Sequence, residues 1–208
     1  MRATTSEFES RPPRPDDRGH PPAVLVLLDW VNDLEFDGAE DLVEAAVAAA
    51  ERTAALKRRW KAAGLPAIYA NDNFGHWRAD FPELVERCTR EGVRGKPIVE
   101  LLAPEDDDYF ILKPRHSAFY NTALPSLLEH LGTQRLVLTG LAGDICVLMT
   151  AIDAYVRGYE LVVPCDALAS ESEAENAHAL DYMRRLLKAE TPPADELPGG
   201  LPAGRASE

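Results

Sequence analysis

Long apolar runs are missing from the sequence, and cysteine, histidine and basic side chains are scarce. Nowhere do about 18 apolar residues follow one another, which is what a membrane-spanning helix needs, so no membrane partner is expected. The N-terminal stretch MRATTSEFESRPPRPDDRGHPP carries no hydrophobic segment of the secretory kind. Three cysteines, Cys88, Cys146 and Cys165, are too few, and of the wrong parity, for a disulfide framework. No Cys-x-x-Cys pair exists to support thiol–disulfide exchange. The expectation is a cytoplasmic protein with three free thiols. Against 35 Asp and Glu stand only 22 Lys and Arg, a formal net charge of -13. A chain this acidic is a poor match for a phosphate backbone or an anionic surface, so nucleic acid is not an expected partner.

What is present suits one globular core. The 208 residues, 46% of them hydrophobic, suffice for a single domain. Its core should span about 22–190. The segments 1–21 and 191–208 are rich in Pro and charge, lack apolar periodicity, and read as flexible tails. Between them, strands and helices alternate. The apolar runs at 23–29, 66–72, 109–113, 135–140 and 160–167 read as strands. The stretch 39–64 starts acidic, ends basic and stops at Gly64, which are helix signals. Further helices are expected in FPELVERCTREG, in ALPSLLEHLG, from Cys146 to about Gly158, and in SEAENAHALDYMRRLLKAE. This alternation predicts an α/β fold of three layers, α/β/α. Its mostly parallel sheet of five to six strands has helices on both faces. Ligands of such sheets bind outside the carboxyl ends of the strands, so chemical residues are sought there.

Three strand ends carry reactive groups. Asp29 closes the first strand, and either caps the following turn or works as an acid. Lys113 closes the third, where a buried ammonium would need a partner; the alternative is a lysine with its head in water. Pro114 restricts Lys113 to an extended exit. Cys146 opens the helix after the fourth strand. There it is either a small core residue or a nucleophile favoured by the unpaired N–H groups of a helix start. An acid, a cation and a thiol are the parts that acyl transfer uses.

The segments VLLDWVNDL, ILKPRHSAF and LVLTGLAGDICVLMTAIDAYVRGYELVVPCDALAS resemble the isochorismatase-like cysteine hydrolases, over roughly residues 22–190. That superfamily includes amidohydrolases of the nicotinamidase and N-carbamoylsarcosine kinds. The resemblance implies a catalytic triad of Asp29, Lys113 and Cys146, and a cis peptide between Leu141 and Ala142. It also implies an oxyanion hole formed by the N–H groups of Ala142 and Cys146. The implied reaction cleaves a C–N bond of a small amide, carbamoyl or ureido substrate through a Cys146 thioester. Asp29 would serve as acid and base, the latter also toward the hydrolytic water, with Lys113 as electrostatic support. A homodimer or homotetramer is implied by the same resemblance. The other readings are a non-catalytic binding or assembly member and a metal-assisted amidase.

Departures from the family pattern narrow this picture. Members with a metal carry Asp-x-His after the second strand, whereas YANDNFGHWRADF has no His two residues beyond Asp72. His76 lies four residues on, so no metal and no cofactor is expected. Many members have Thr or Ser where Gly143 stands. Phe74, Trp77 and Phe119 are candidates for an aromatic wall around a planar substrate, with Trp30 and Asn73 beside them. His116 and Tyr120 are weaker candidates on the loop after Lys113. Cys88 and Cys165 read as structural.

Overall fold

A computed structural model describes residues 23–75, 77–78 and 80–197. Its sheet has six strands: β1 (Ala23–Leu28), β2 (Ala67–Asp72), β3 (Tyr109–Lys113), β4 (Arg135–Leu141), β5 (Glu160–Val162) and β6 (Leu168–Ala169). The order is β3-β2-β1-β4-β5, with β6 pairing to the end of β4, and every pairing is parallel. Among the described residues six α-helices accompany the strands: α1 (Ala39–Ala62), α2 (Phe81–Cys88), α3 (Lys96–Leu101), α4 (Leu124–Leu131), α5 (Leu148–Val156) and α6 (Glu173–Leu186).

Strand periodicity builds two cores. Along β1, Ala23, Leu25 and Leu27 enter one apolar cluster, while Val24, Val26 and Leu28 enter the other. The first cluster takes in Leu42, Trp60, Phe81 and Ile98 from α1, α2 and α3. The second takes in Leu128, Ala151 and Met183 from α4, α5 and α6. Both faces of β1 are therefore covered, which is why its sequence is continuously apolar rather than alternating. The chain winds outward through β2 and β3, then crosses back to β4. The direction reverses between β1 and β4, and the crevice at such a switch point is where open parallel sheets bind ligands. No helix among the described residues is long and apolar enough to cross a membrane.

The C-terminal part departs from expectation. The fifth strand stops at Val162 rather than running to 167. Pro164 has no N–H for a ladder, and Val163 N–H already donates to Glu190 O at 2.7 Å. The segment 191–197, expected in a tail, is packed. Cys165 N–H donates to Pro192 O, Ala194 N–H to Asp166 Oδ1, and Arg59 to Ala194 O. Ala194 and Leu197 are buried. Hydrogen bonds to distant segments thus hold a stretch whose own periodicity is silent. Residues 1–22 and 198–208 lie outside the described residues. The short helix α3 is an addition to the expected elements; Pro97 at its start is the signal that marks it.

Gly140 is required by the approach of β4 to β1. Its φ is +148°, and a Cβ there would lie 2.3 Å from Leu28 O. Gly140→Ala is expected to lower stability by about 1–3 kcal/mol, read as a lower urea midpoint at unchanged m-value.

Candidate active site

Three strand ends converge. Asp29 follows β1 directly and has a φ of 53°. That left-handed conformation is uncommon outside glycine but comparatively accessible to Asp. Its N–H donates to Ala70 O at 3.1 Å, tying the turn to β2. Lys113 is the last residue of β3. The chain after β4 passes through a cis peptide between Leu141 and Ala142. It then makes one π-helical turn, Gly143–Val147, that runs into α5. Cys146 lies in that turn. The N–H groups of Ile145 and Val147 both return to Ala142 O at 3.2 Å, so the turn is closed around residue 142.

Lys113 is completely buried, and its Nζ makes three contacts. It lies 2.8 Å from Asp29 Oδ2, 3.5 Å from Cys146 Sγ and 3.7 Å from Asp72 Oδ2. The three residues drawn from strand ends are thus brought together around one ammonium. Asp29 is 4% exposed, and its Oδ1 accepts the Asp72 N–H at 2.6 Å. Burial raises the Asp29 carboxyl above its usual range, although Lys113 opposes this. Burial would lower the Lys113 ammonium, but Asp29, Cys146 and Asp72 outweigh it and hold it above its usual value. Burial and the adjacent Asp29 charge push the Cys146 thiol up to about 12, against the pull of Lys113. Cys146 therefore rests as a thiol at neutral pH, beside an Asp29 that faces the Lys113 ammonium at 2.8 Å. A carboxylate of raised basicity beside a reluctant thiol suits proton transfer coupled to attack.

Asp72 enters the sequence reading only through a metal motif. In the structure it is a second carboxylate on Lys113, while its Oδ1 accepts the Phe74 N–H at 2.6 Å. The strand-end filter, applied to β2, finds it. His76 lies outside the described residues. Among those described, no cluster of three or more His, Cys, Asp or Glu side chains could hold a metal ion. His116, one of the weaker candidates, approaches Cys146 Sγ with its Nδ1 at 3.7 Å. Tyr120, the other, is half-exposed at the surface.

The aromatic candidates divide. Asn73, Phe74 and Trp77 line a cavity of about 480 Å³, together with Arg78, Arg87 and Leu112. Asn73 and Leu112 are the chain neighbours of Asp72 and Lys113, and Asn73 N–H donates to Lys113 O at 3.0 Å. The cavity therefore begins beside the Asp29, Lys113 and Cys146 cluster, although none of these three side chains lines it. Trp77 is 79% exposed at its mouth. Trp30 and Phe119 do not belong to this wall. Trp30 is fully buried in the core, where its Nε1 donates to Thr139 Oγ1 at 3.1 Å. The turn at Asp29 sends the next side chain inward. Phe119 is buried against Tyr159 with the Arg157 guanidinium over its ring, and anchors its loop.

Gly143 also has a local reason. A Cβ there would meet Asn176 Oδ1 at 2.3 Å. Ser170 Oγ donates to that oxygen at 3.1 Å and accepts the Asp144 N–H at 3.2 Å. The polar groups beside the turn that carries Cys146 come from α6 and the segment after β6. Cys88 is buried in the core and pushed up by burial to about 11, and Cys165 is raised by burial as well. Neither touches the Asp29–Lys113 pair.

The sequence profile of the isochorismatase domain matches residues 23–191. An uncharacterized isochorismatase family protein of Bacillus subtilis, YaaI, is 42% identical over 167 residues, covering 80% of this chain and 91% of its own. The N-carbamoylsarcosine amidase of Thermoplasma acidophilum superposes with a TM-score of 0.67 at 27% identity, covering 85% of this chain and 98% of that one. The ureidoacrylate amidohydrolase RutB of Methylorubrum extorquens is 42% identical over 86 residues, which is 41% of this chain and 35% of that protein.

Because the Asp29 charge opposes ionisation of the thiol, Asp29→Asn is expected to lower the Cys146 pKa. Lys113→Met should raise it. Thiolate absorbance near the ultraviolet edge, titrated against Cys146→Ala, measures both. An unmoved titration in Asp29→Asn would contradict this arrangement of charges.

Proposed function

The chain belongs to the isochorismatase family, and on that premise we propose that it is a cysteine hydrolase of small amide, carbamoyl or ureido compounds. The observation that carries this reading is the contact of Cys146, Lys113 and Asp29 at the carboxyl ends of the sheet, with Lys113 at 3.5 Å and 2.8 Å from its two partners. The family is one of hydrolases with amidases among them. The N-carbamoylsarcosine amidase and ureidoacrylate amidohydrolase similar to this chain are named for C–N bond cleavage.

The chemistry follows from the charges. Asp29 takes the Cys146 proton as the sulfur attacks the carbonyl carbon. Lys113 stays protonated and offsets the charge that passes from carboxylate to sulfur. Negative charge then grows on the carbonyl oxygen, which the N–H groups of Ala142 and Cys146 receive. Asp29 returns the proton to the leaving nitrogen, the C–N bond breaks, and ammonia or an amine departs. A thioester remains on Cys146, and water clears it. A buried Lys113 left without a counter-charge would cost about 3–5 kcal/mol, so the charge that leaves Asp29 passes to the sulfur, 3.5 Å from the same ammonium.

The cavity beside the triad supports a small planar substrate. Phe74 and Trp77 offer aromatic faces, and Arg78 and Asn73 offer donors for a carboxylate or carbonyl distant from the reacting bond.

Ammonia release from a panel of small amides and ureido acids, with a chelator present, tests the reading. Release by the wild type and none by Cys146→Ala is expected; equal release by both would remove the nucleophile. On an accepted substrate, Trp77→Ala is expected to raise KM about tenfold, the loss of roughly 1–1.5 kcal/mol of aromatic contact. An unchanged KM would place the substrate elsewhere.

A further inference from the structure

Phe74, in the wall of the cavity, is held from two sides. On one side its backbone is fixed. Phe74 has a φ of 50° and Gly75 a φ of 74°, so the chain turns sharply after β2. Phe74 N–H donates to Asp72 Oδ1 at 2.6 Å, and Gly75 N–H to Asn73 Oδ1 at 2.9 Å. Asp72 also meets Lys113, so the turn that carries the ring starts from a residue in contact with the ammonium. These bonds fix the main chain of Phe74 but not its side chain. A ring that is partly open to solvent changes rotamer within nanoseconds unless something rests on it.

The other side restrains the ring itself. Arg87, in the last turn of α2, lies with its guanidinium carbon 5.2 Å from the centre of the Phe74 ring, a cation–π distance. The same guanidinium is engaged elsewhere. Its Nε donates to Asp33 Oδ2 at 3.1 Å, and its Nη2 donates to the same oxygen. Asp33 is anchored in turn: its Oδ1 accepts the Glu35 N–H at 3.2 Å, and its carbonyl accepts the Gly95 N–H at 2.9 Å. Gly95 permits that approach, because a Cβ there would lie 1.8 Å from Asn32 O. Asp33 therefore belongs to a fixed crossing between the loop after β1 and the start of α3. Arg87 lines the cavity, but Asp33 does not. With its charge balanced by Asp33, Arg87 offers the cavity a plane held over Phe74.

We propose that Arg87 is a positioning residue that locks the Phe74 ring as the flat wall against which a planar substrate lies, with Asp33 as its anchor. The role rests on the cysteine hydrolase reading above. Arg87 acts on the substrate through Phe74, and Asp33 acts through Arg87. An arginine can do both tasks at once, since its planar fork pairs with a carboxylate at the edge while its face stacks on a ring. A lysine can only pair. A ring already held loses no rotamer freedom when a flat substrate meets it, so the wall favours planar substrates over saturated ones of equal size.

Two neutral reagents of one chemistry, N-phenylmaleimide and N-methylmaleimide, test this whatever the natural substrate. The readout is the rate of Cys146 labelling by peptide mass, each rate divided by that of the same reagent with glutathione. In the wild type the phenyl reagent is expected to be favoured about tenfold, the worth of one aromatic contact. Phe74→Leu should remove the preference. Arg87→Met and Asp33→Asn should each reduce it to about twofold, and Arg87→Lys should not restore it. Added to Phe74→Leu, Arg87→Met should change the ratio no further. A merely structural arginine would slow both reagents alike and leave the ratio intact. A preserved ratio in Arg87→Met or Asp33→Asn, or a wild type without preference, overturns the proposal while the cysteine hydrolase reading stands. If wild-type Cys146 reacts no faster than Cys165 with either reagent, that reading fails and this role fails with it.

Discussion

A buried ammonium between two carboxylates organises this protein. Lys113 has no solvent contact, and its charge is tolerable only because Asp29 sits at 2.8 Å and Asp72 at 3.7 Å. Desolvation of both partners makes such a pair weak support for stability but costly to break from one side. Three strands must therefore end in register for the pair to exist at all. The parallel ladders supply that register: Asp72 lies opposite Lys113 in the β2–β3 pairing, and Asp29 N–H is tied to Ala70 at the end of the β1–β2 pairing.

The thiol is placed in the field of this pair rather than beside a helix start alone. Asp29 opposes its ionisation and Lys113 favours it, and burial keeps the resting sulfur protonated. A permanently ionised thiolate would be a stable anion in a salt bridge. In the proposed reaction a thiol beside a basic carboxylate ionises only as it attacks, so charge would appear beside the Lys113 ammonium. The switch point between β1 and β4 makes this possible. Helices cover opposite faces on either side of it, which leaves the crevice open above the strand ends.

Residues at strand ends are legible because continuous apolar runs mark buried strands, and a charge closing such a run must either reach water or find a partner. Asp29 and Lys113 stand out on that ground, and Cys146 by its place between a strand and a helix. Asp72 ends a strand in the same way, and the same rule marks it, although the histidine that would complete a metal motif there is missing. The aromatic residues are harder. Trp30 and Phe74 each sit close to a strand-end acid, but local backbone turns send the first into the core and the second to the cavity. Periodicity cannot foresee that, because a single left-handed residue reverses which side a neighbour faces. His116 carries no periodic signal either, since its position depends on hydrogen bonds from its neighbours to α5.

What the sequence determined by itself was the parallel α/β architecture and the family, through apolar runs, helix signals and three long motif segments. Those are local properties of the chain, and burial on both faces of β1 follows from composition alone. The tertiary structure decided which groups touch. It put Asp72 on Lys113 and His116 on the open side of the sulfur, sent Trp30 and Phe119 into the core, and packed residues 191–197 against α1 and the segment after β5. Each of those outcomes depends on hydrogen bonds and packing between segments far apart in sequence, which no pattern of neighbouring residues encodes.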